Sequence, residues 1–249
     1  MPVSLDVVFI TLAFGLAGFV KGVIGLGLPT IAVGLLGIVM PPVAAASLLI
    51  IPNIVTNIWQ LAAGPRFKPL VLRLWPMMAG IVAGTLTGAP LLEQQASGWT
   101  SLALGAALIA YAGFGLSGIK LTLTARDERV WSPVIGLTTG VMTMVTGVFV
   151  VPAVPYLQAL DLNKEDLVQA LGLSFLVSTL ALAAVLVIFG MFPSSVAAGS
   201  LLAVMPALLG MAIGTKVRAA ISPVLFRHCF FFGLILLGSY LVLRGVANQ

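Results

Sequence analysis

Gly18-Phe19-Val20-Lys21-Gly22-Val23-Ile24-Gly25-Leu26-Gly27-Leu28-Pro29 decides how this chain folds. These twelve residues hold four glycines, one proline and one lysine, in the middle of an apolar run from about Leu5 to Val39. Glycine costs about 1 kcal/mol in a helix interior and proline about 3. A lysine facing hydrocarbon adds roughly 2.5–3.5 kcal/mol on insertion scales. A plain spanning helix would not carry such a stretch. Irregular backbone at membrane depth is tolerated where it lines a cavity or is buried in protein, so the run predicts a hairpin of two shorter helices with its tip at Gly25–Pro29. A weaker copy, Gly140-Val141-Met142-Thr143-Met144-Val145-Thr146-Gly147 followed by Pro152, predicts a second hairpin with its tip at Gly147–Pro152.

Composition fixes the setting. Of 249 residues 60% are hydrophobic and 8% charged, against about 25% charged in soluble domains; mean hydropathy is +1.18. The apolar runs, at about 5–40, 43–63, 70–92, 98–119, 131–160, 166–190, 194–215 and 224–244, are too long for barrel strands of about ten residues. Six fit one helical crossing of about 20 residues, and the first and fifth are the two hairpins. The expectation is an all-α polytopic membrane protein of eight apolar runs and about ten helices. The N-terminus lacks the basic segment of a cleaved signal peptide, so the first run is expected to belong to the mature protein. One cysteine, Cys229, and one histidine, His228, exclude an internal disulfide and a redox or haem centre; neither cofactor nor metal is expected, and the small positive charge confined to loops gives no reason to expect a nucleic acid partner.

The chain repeats itself. Pro76-x-x-x-Gly80-x-x-x-Gly84-Thr85 recurs as Pro206-x-x-x-Gly210-x-x-x-Gly214-Thr215, and Gly18…Gly25 shares its spacing with Gly140…Gly147. The halves are residues 1–120 and 131–249, joined by a charged cytoplasmic linker at 121–130, each half a Gly/Pro-broken hairpin plus three transmembrane helices. Basic residues mark cytoplasmic loops. Arg66, Lys68 and Arg73 precede the first P-x-x-x-G helix, whereas Lys216 and Arg218 follow the second. The bias swaps ends, and five crossings per half is odd, so the repeats are expected to be inverted. Both termini then lie outside, and loops 64–69, 120–130, 161–166 and 216–223 inside; Arg244, near the C-terminus, is the exception. Interrupted segments at matching places in two halves point to a transporter's binding site.

The chemistry is that of an anion site. The helix restart at Leu28–Pro29 offers free N–H groups and a positive dipole end, with Gly22, Gly25 and Gly27 admitting a ligand to the backbone, and two inverted copies would aim two such ends at one midplane site. Lys21 either adds a full charge there or snorkels to the cytoplasmic edge, lying about 25 Å along its helix at 1.5 Å per residue. Asn53, Thr56, Asn57 and Gln60 share one helix face; they serve either as neutral donors to an oxyanion or as interhelical hydrogen bonds of about 0.6 kcal/mol each, the second reading being favoured for Gln60. Thr143, Thr146 and Gly147 flank the second tip, where the two threonines serve either the ligand or the packing; Gln169, Ser174 and Ser178 occupy the helix corresponding to that of Asn53, the two serines sharing one face, and for them a purely structural role is favoured. The Gly80/Gly84/Gly88 and Gly210/Gly214 rows are close-packing faces. All seven acidic residues, Asp6, Glu93, Asp127, Glu128, Asp161, Glu165 and Asp166, fall at ends or in loops, so a carboxylate proton relay or sodium cage is excluded. Proton coupling, if used, would run on the substrate or through His228. Intramembrane proteolysis lacks its motifs, since Gly172-Leu173-Ser174-Phe175 breaks the serine-protease pattern and no membrane aspartates are present; the chain is not expected to be an enzyme.

The pattern Gly18-x-x-x-Gly22-x-x-Gly25-x-Gly27, its echo Gly140…Gly147 and the eight-run hydropathy resemble the sulfite exporter TauE/SafE family, also called the toluene-sulfonate uptake permease family, over essentially the whole chain. The chain departs from that family's glycine run in reading Gly25-Leu26-Gly27-Leu28-Pro29. The resemblance implies a multi-pass transporter of the cell (inner) membrane that moves sulfite, sulfoacetate or another sulfonate, whereas the residues alone imply only a small anion. An anion channel of the same fold, or a transporter of a non-sulfur anion, is the alternative.

Overall fold

The computed structural model describes residues 5–62, 64–94, 98–119, 121–218, 220 and 222–247. Among these, ten α-helices and no strands are present: α1 (Leu5–Ile24), α2 (Leu28–Leu36), α3 (Pro42–Ala62), α4 (Phe67–Gly88, extended by a 3-10 turn Ala89–Gln94), α5 (Gly98–Ser117), α6 (Ala125–Thr146), α7 (Ala153–Gln158), α8 (Lys164–Ile188), α9 (Ser194–Val217) and α10 (Pro223–Ala247). Seven of the described helices, α1, α3, α4, α5, α8, α9 and α10, are long and apolar enough to cross a membrane. Large apolar side chains stand uncovered around the outside, among them Leu12, Trp59, Leu72, Leu202 and Leu243. Such a continuous apolar exterior needs lipid against it, and the protein is a multi-pass all-α membrane protein.

Both expected hairpins are present. α1 stops where Gly25 and Gly27 take φ of 81° and 107°, the left-handed region that side-chain-bearing residues avoid. Pro29 restarts the chain in the first turn of α2, where its missing N–H costs nothing. The second break follows Thr146, and α7 begins after Pro152.

The long helices of the first 120 residues each pair with a helix that begins after residue 124. Gly15, Gly18 and Gly22 of α1 meet Pro206, Ala207 and Met211 through Thr215 of α9 in the same order, so the two run parallel. α4 and α6 likewise run parallel, with Gly80 against Pro133, Gly84 against Leu137 and Gly88 against Val141 and Met144. α5 and α10 cross antiparallel, Gly105 facing Gly238 and Gly115 facing Phe231. α3 and α8 are antiparallel too, with Asn53 bonded to Thr179 and Gln60 to Val168. The small-residue rows thus let backbones touch, as their spacing indicates.

Residues 121–130 are only partly a linker. α6 begins at Ala125 because Thr124 and Asp127 form a capping box, and the Arg73 guanidinium holds both Glu128 carboxylate oxygens at 2.7 and 2.8 Å. The Thr124 hydroxyl and backbone N–H, both donating to Asp127, hold its carboxyl below the usual carboxylate range. A lowered folded-state pKa stabilises above the unfolded value of about 3.9 and is lost as pH falls through the folded value. Thermal melts from pH 3 to 7 should therefore show an acid-side loss of stability that Asp127→Asn reduces, and Thr124→Ala should cost about 1 kcal/mol at neutral pH through the lost cap.

Four loops are tied together on one face. The Leu123 N–H donates to the Ala159 carbonyl, Arg73 to Leu160, and Gln169 bridges Gly64 and Arg66; Arg218 joins Lys164 at the edge of a shared cavity. These are the loops expected inside. At the other end Arg244 donates to the Gly37 and Ile38 carbonyls, which the end of α2 leaves unpaired, so the residue that broke the charge rule completes a helix terminus.

Candidate functional site

Lys21 does not reach an interface. It lies 3% exposed, and its ammonium donates to Thr56 Oγ1 at 3.1 Å and Asn57 Oδ1 at 2.5 Å. Both acceptors sit on the polar stripe of α3. A turn away Asn53 donates to Thr179 of α8 at 2.5 Å. The Asn57 Nδ2 donor and Asn53 Oδ1 are buried with no partner, as is Thr30 Oγ1 in the first turn of α2. Among the described residues no carboxylate approaches Lys21; the two ion pairs, Arg66–Asp166 and Arg73–Glu128, belong to the loop face. An ammonium has three donors and here uses two, both on neutral oxygens. A buried charge without a counter-ion is costly, and the arrangement gains most from an anion that supplies both charge and acceptors.

The remaining expected residues divide. Gly22 packs on α9, where an added Cβ would lie 2.3 Å from the Met211 carbonyl oxygen; it is a contact of helices. Gly25 offers its carbonyl to Gln60, and Gly27 lies under Val20 and Phe230. Thr143 and Thr146 bond their own helix at the Thr139 and Met142 carbonyls. Gln169 has its amide engaged by Leu61, Gly64 and Arg66. Ser174 and Ser178 are buried with unpartnered hydroxyls, but at 100° per residue they stand about 200–240° around α8 from Gly172, the residue that meets Gln60 and Asn57. They form a second polar strip away from Lys21.

The glycines of the two hairpin tips do not come together. Gly25 lies by Gln60 and Val168, whereas Gly147 meets Pro42 and Ala46 at the opposite end of α3. Fourteen residues of helix, about 21 Å, separate them. α7 is also only six residues long, too short to carry a developed dipole. Each tip packs against its own end of α3.

The sequence reading missed a basic vestibule. Beside the first hairpin tip a cavity of about 360 Å³ is lined by Val23, Ile24 and Leu26 on one side and by Lys164, Arg218 and Arg227 on the other. A smaller one of about 220 Å³ continues from Lys164 and Arg218 to Gln60. Three separate loops and helix ends bring these cations together, and the one sequence signal was the excess of basic residues in loops on a common side.

Comparison with known proteins is informative at family level. The family model described as Sulfite exporter TauE/SafE matches residues 10–241, nearly the whole chain. Neither a curated protein nor a solved structure matches.

Proposed function

Because this chain belongs to the sulfite exporter TauE/SafE family, a family of membrane transporters, we propose that it carries a small sulfur-containing anion, such as sulfite, sulfoacetate or another sulfonate, across the cell membrane. One observation carries the reading of the site: Lys21 is a buried cation whose partners, Thr56 and Asn57, are both neutral. The anion would sit against the Lys21 ammonium and the free Asn57 amide, both suited to sulfonate oxygens. The loop face bearing Arg66, Lys68, Arg126, Arg129, Lys164, Lys216, Arg218 and Arg227 is the cytoplasmic one by the positive-inside rule, and its vestibule gathers anions electrostatically. Alternating access around two inverted halves is supported by the packing sense, since α1 and α4 each run parallel to a helix of the other half while α3–α8 and α5–α10 run antiparallel.

The test is a thermal-shift panel of sulfite, sulfoacetate, taurine and thiosulfate on purified protein. A ligand at 100 times its Kd stabilises by about 2.7 kcal/mol. Asn57→Asp places a carboxylate on the Lys21 ammonium; it should raise the melting temperature of the empty protein and abolish the anion-dependent shift. Retention of the full shift in Asn57→Asp sinks the site. In proteoliposomes saturable flux with counter-flow is expected, whereas flux that neither saturates nor exchanges indicates a channel.

A further inference from the structure

We infer that Gln60 is the inner gate of this anion path, closing the basic vestibule off from Lys21. The inference rests on the reading of Lys21 as the anion's partner. Gln60 is 8% exposed. Its amide nitrogen donates to the Gly25 carbonyl at 2.7 Å and to the Val168 carbonyl at 3.2 Å. Only the Nε2 end can make these two bonds, since both partners are acceptors. One side chain of α3 thereby fastens the tip of the first hairpin to the start of α8, an element of the other half.

The layer so formed lies between two places an anion would occupy. On its outer side Gln60 lines a cavity with Lys164 and Arg218, whose two cations outnumber the one carboxylate there, Glu165. On its inner side, one helical turn along the same face, are Thr56 and Asn57, which hold Lys21. Gly25 likewise stands four residues beyond Lys21, just past the end of α1, so the bonded layer Gly25–Gln60–Val168 covers the layer Lys21–Asn57 along both α1 and α3.

The fastening is built to release. The Gln60 Oε1 is buried and has no partner, so the closed state leaves one of the amide's own groups unsatisfied. The acceptor at Gly25 belongs to a residue at φ 81°, outside any helix, and space beside its Cα reaches the Val168 side chain only at 3.5 Å. Swinging the Gln60 amide away frees two carbonyls beside the cavity that Lys164, Glu165 and Arg218 line, where solvent replaces the lost bonds. Nothing else in α3 needs to move.

The experiment reads access to the Lys21 layer directly. Cys229 is the single native cysteine, so Cys229→Ser leaves a background in which Thr56→Cys is the only thiol. The probe is a small anionic methanethiosulfonate added from the loop face, with Val224→Cys, in the vestibule wall, as the accessible reference. With Gln60 intact, Thr56→Cys should label at least tenfold more slowly than Val224→Cys. Gln60→Ala should raise the Thr56→Cys rate at least tenfold and leave the reference unchanged. Gln60→Glu keeps the size but cannot donate to the two carbonyls, and should open the path as well should Gln60→Ala fail to fold. Equal rates at the two positions with Gln60 intact, or an unchanged Thr56→Cys rate in both Gln60 variants, overturns the gate. Labelling requires no substrate, so that failure leaves the Lys21 reading standing. Conversely, an absent anion-dependent thermal shift removes the Lys21 reading without touching the labelling result.

Discussion

Lys21→Met abolishes anion-dependent stabilisation and transport while raising the melting temperature of the empty protein. The two effects have one cause. Lys21 is buried beside neutral oxygens, and an ion in such a place retains a desolvation penalty of several kcal/mol that neutral hydrogen bonds only partly offset. Methionine of similar length removes the penalty and fills the same space. With it goes the only charge the site offers to an anion. A loss of at least 100-fold in affinity is expected, about 2.8 kcal/mol at 1.4 kcal/mol per tenfold. Melting curves with and without sulfite, together with flux in proteoliposomes, check both halves of the expectation. Lys21→Met with normal flux removes Lys21 from the site. A lower melting temperature with flux lost means that the lysine holds the fold instead.

Gly84→Ala should disrupt the protein, whereas Gly113→Ala, one helix later, should strengthen it slightly. A Cβ on Gly84 would lie 2.0 Å from the Leu137 carbonyl oxygen. Gly210 stands in the same position against Gly15, at 2.0 Å. Backbone is being asked to yield to backbone, and no rotamer change relieves it. α4 would have to move off α6 along its whole length, so a loss of at least 3 kcal/mol, in the exceptional tail for one methyl group, is expected. Around Gly113 nothing lies within 4 Å of an added Cβ, and the higher helix propensity of alanine is worth up to about 1 kcal/mol. Melting temperature and monodispersity in detergent separate the two. A Gly84→Ala protein as stable as the unaltered chain would mean that the α4–α6 crossing is wider than described.

Much of this fold was legible because glycine and proline speak locally. Gly25 and Gly27 had to stand where φ is positive, and Pro29 where a helix begins, so the first hairpin could be placed to within a residue. The polar stripe of α3 was legible for the same reason, since a period of three and four residues survives without knowing the neighbours. Partner choice was not legible. A small-residue row fits any other such row, and nothing in Gly18 or Gly22 says that α9 rather than α6 will lie against it. Gly22 was accordingly read as admitting a ligand, although its four-residue spacing from Gly18 is that of a packing face. Ser174 and Ser178 were candidates because their helix corresponds in the repeat to that of Asn53; counting 100° steps from Gly172 sets them apart from the α3 stripe, but only once Gly172 is known to meet α3. Of the vestibule only the shared side of its basic loops was legible; that Lys164, Arg218 and Arg227 line one cavity is set by the folded chain.

The crossing of α1 with α9 bears on how the protein comes into being. α1 is complete at Ile24, and the helix that covers its glycine face starts at Ser194, 170 residues later on the ribosome. At about 5–20 residues per second that delay is on the order of 10–30 s. Through that interval the newborn α1 sits at the membrane with its glycine row bare, even after α3 has emerged to hold Lys21, and the cap that Arg244 places on α2 arrives later still. The first half therefore cannot mature ahead of the second: the nascent chain must be held open, by the insertion machinery or by lipid, until its last helices emerge.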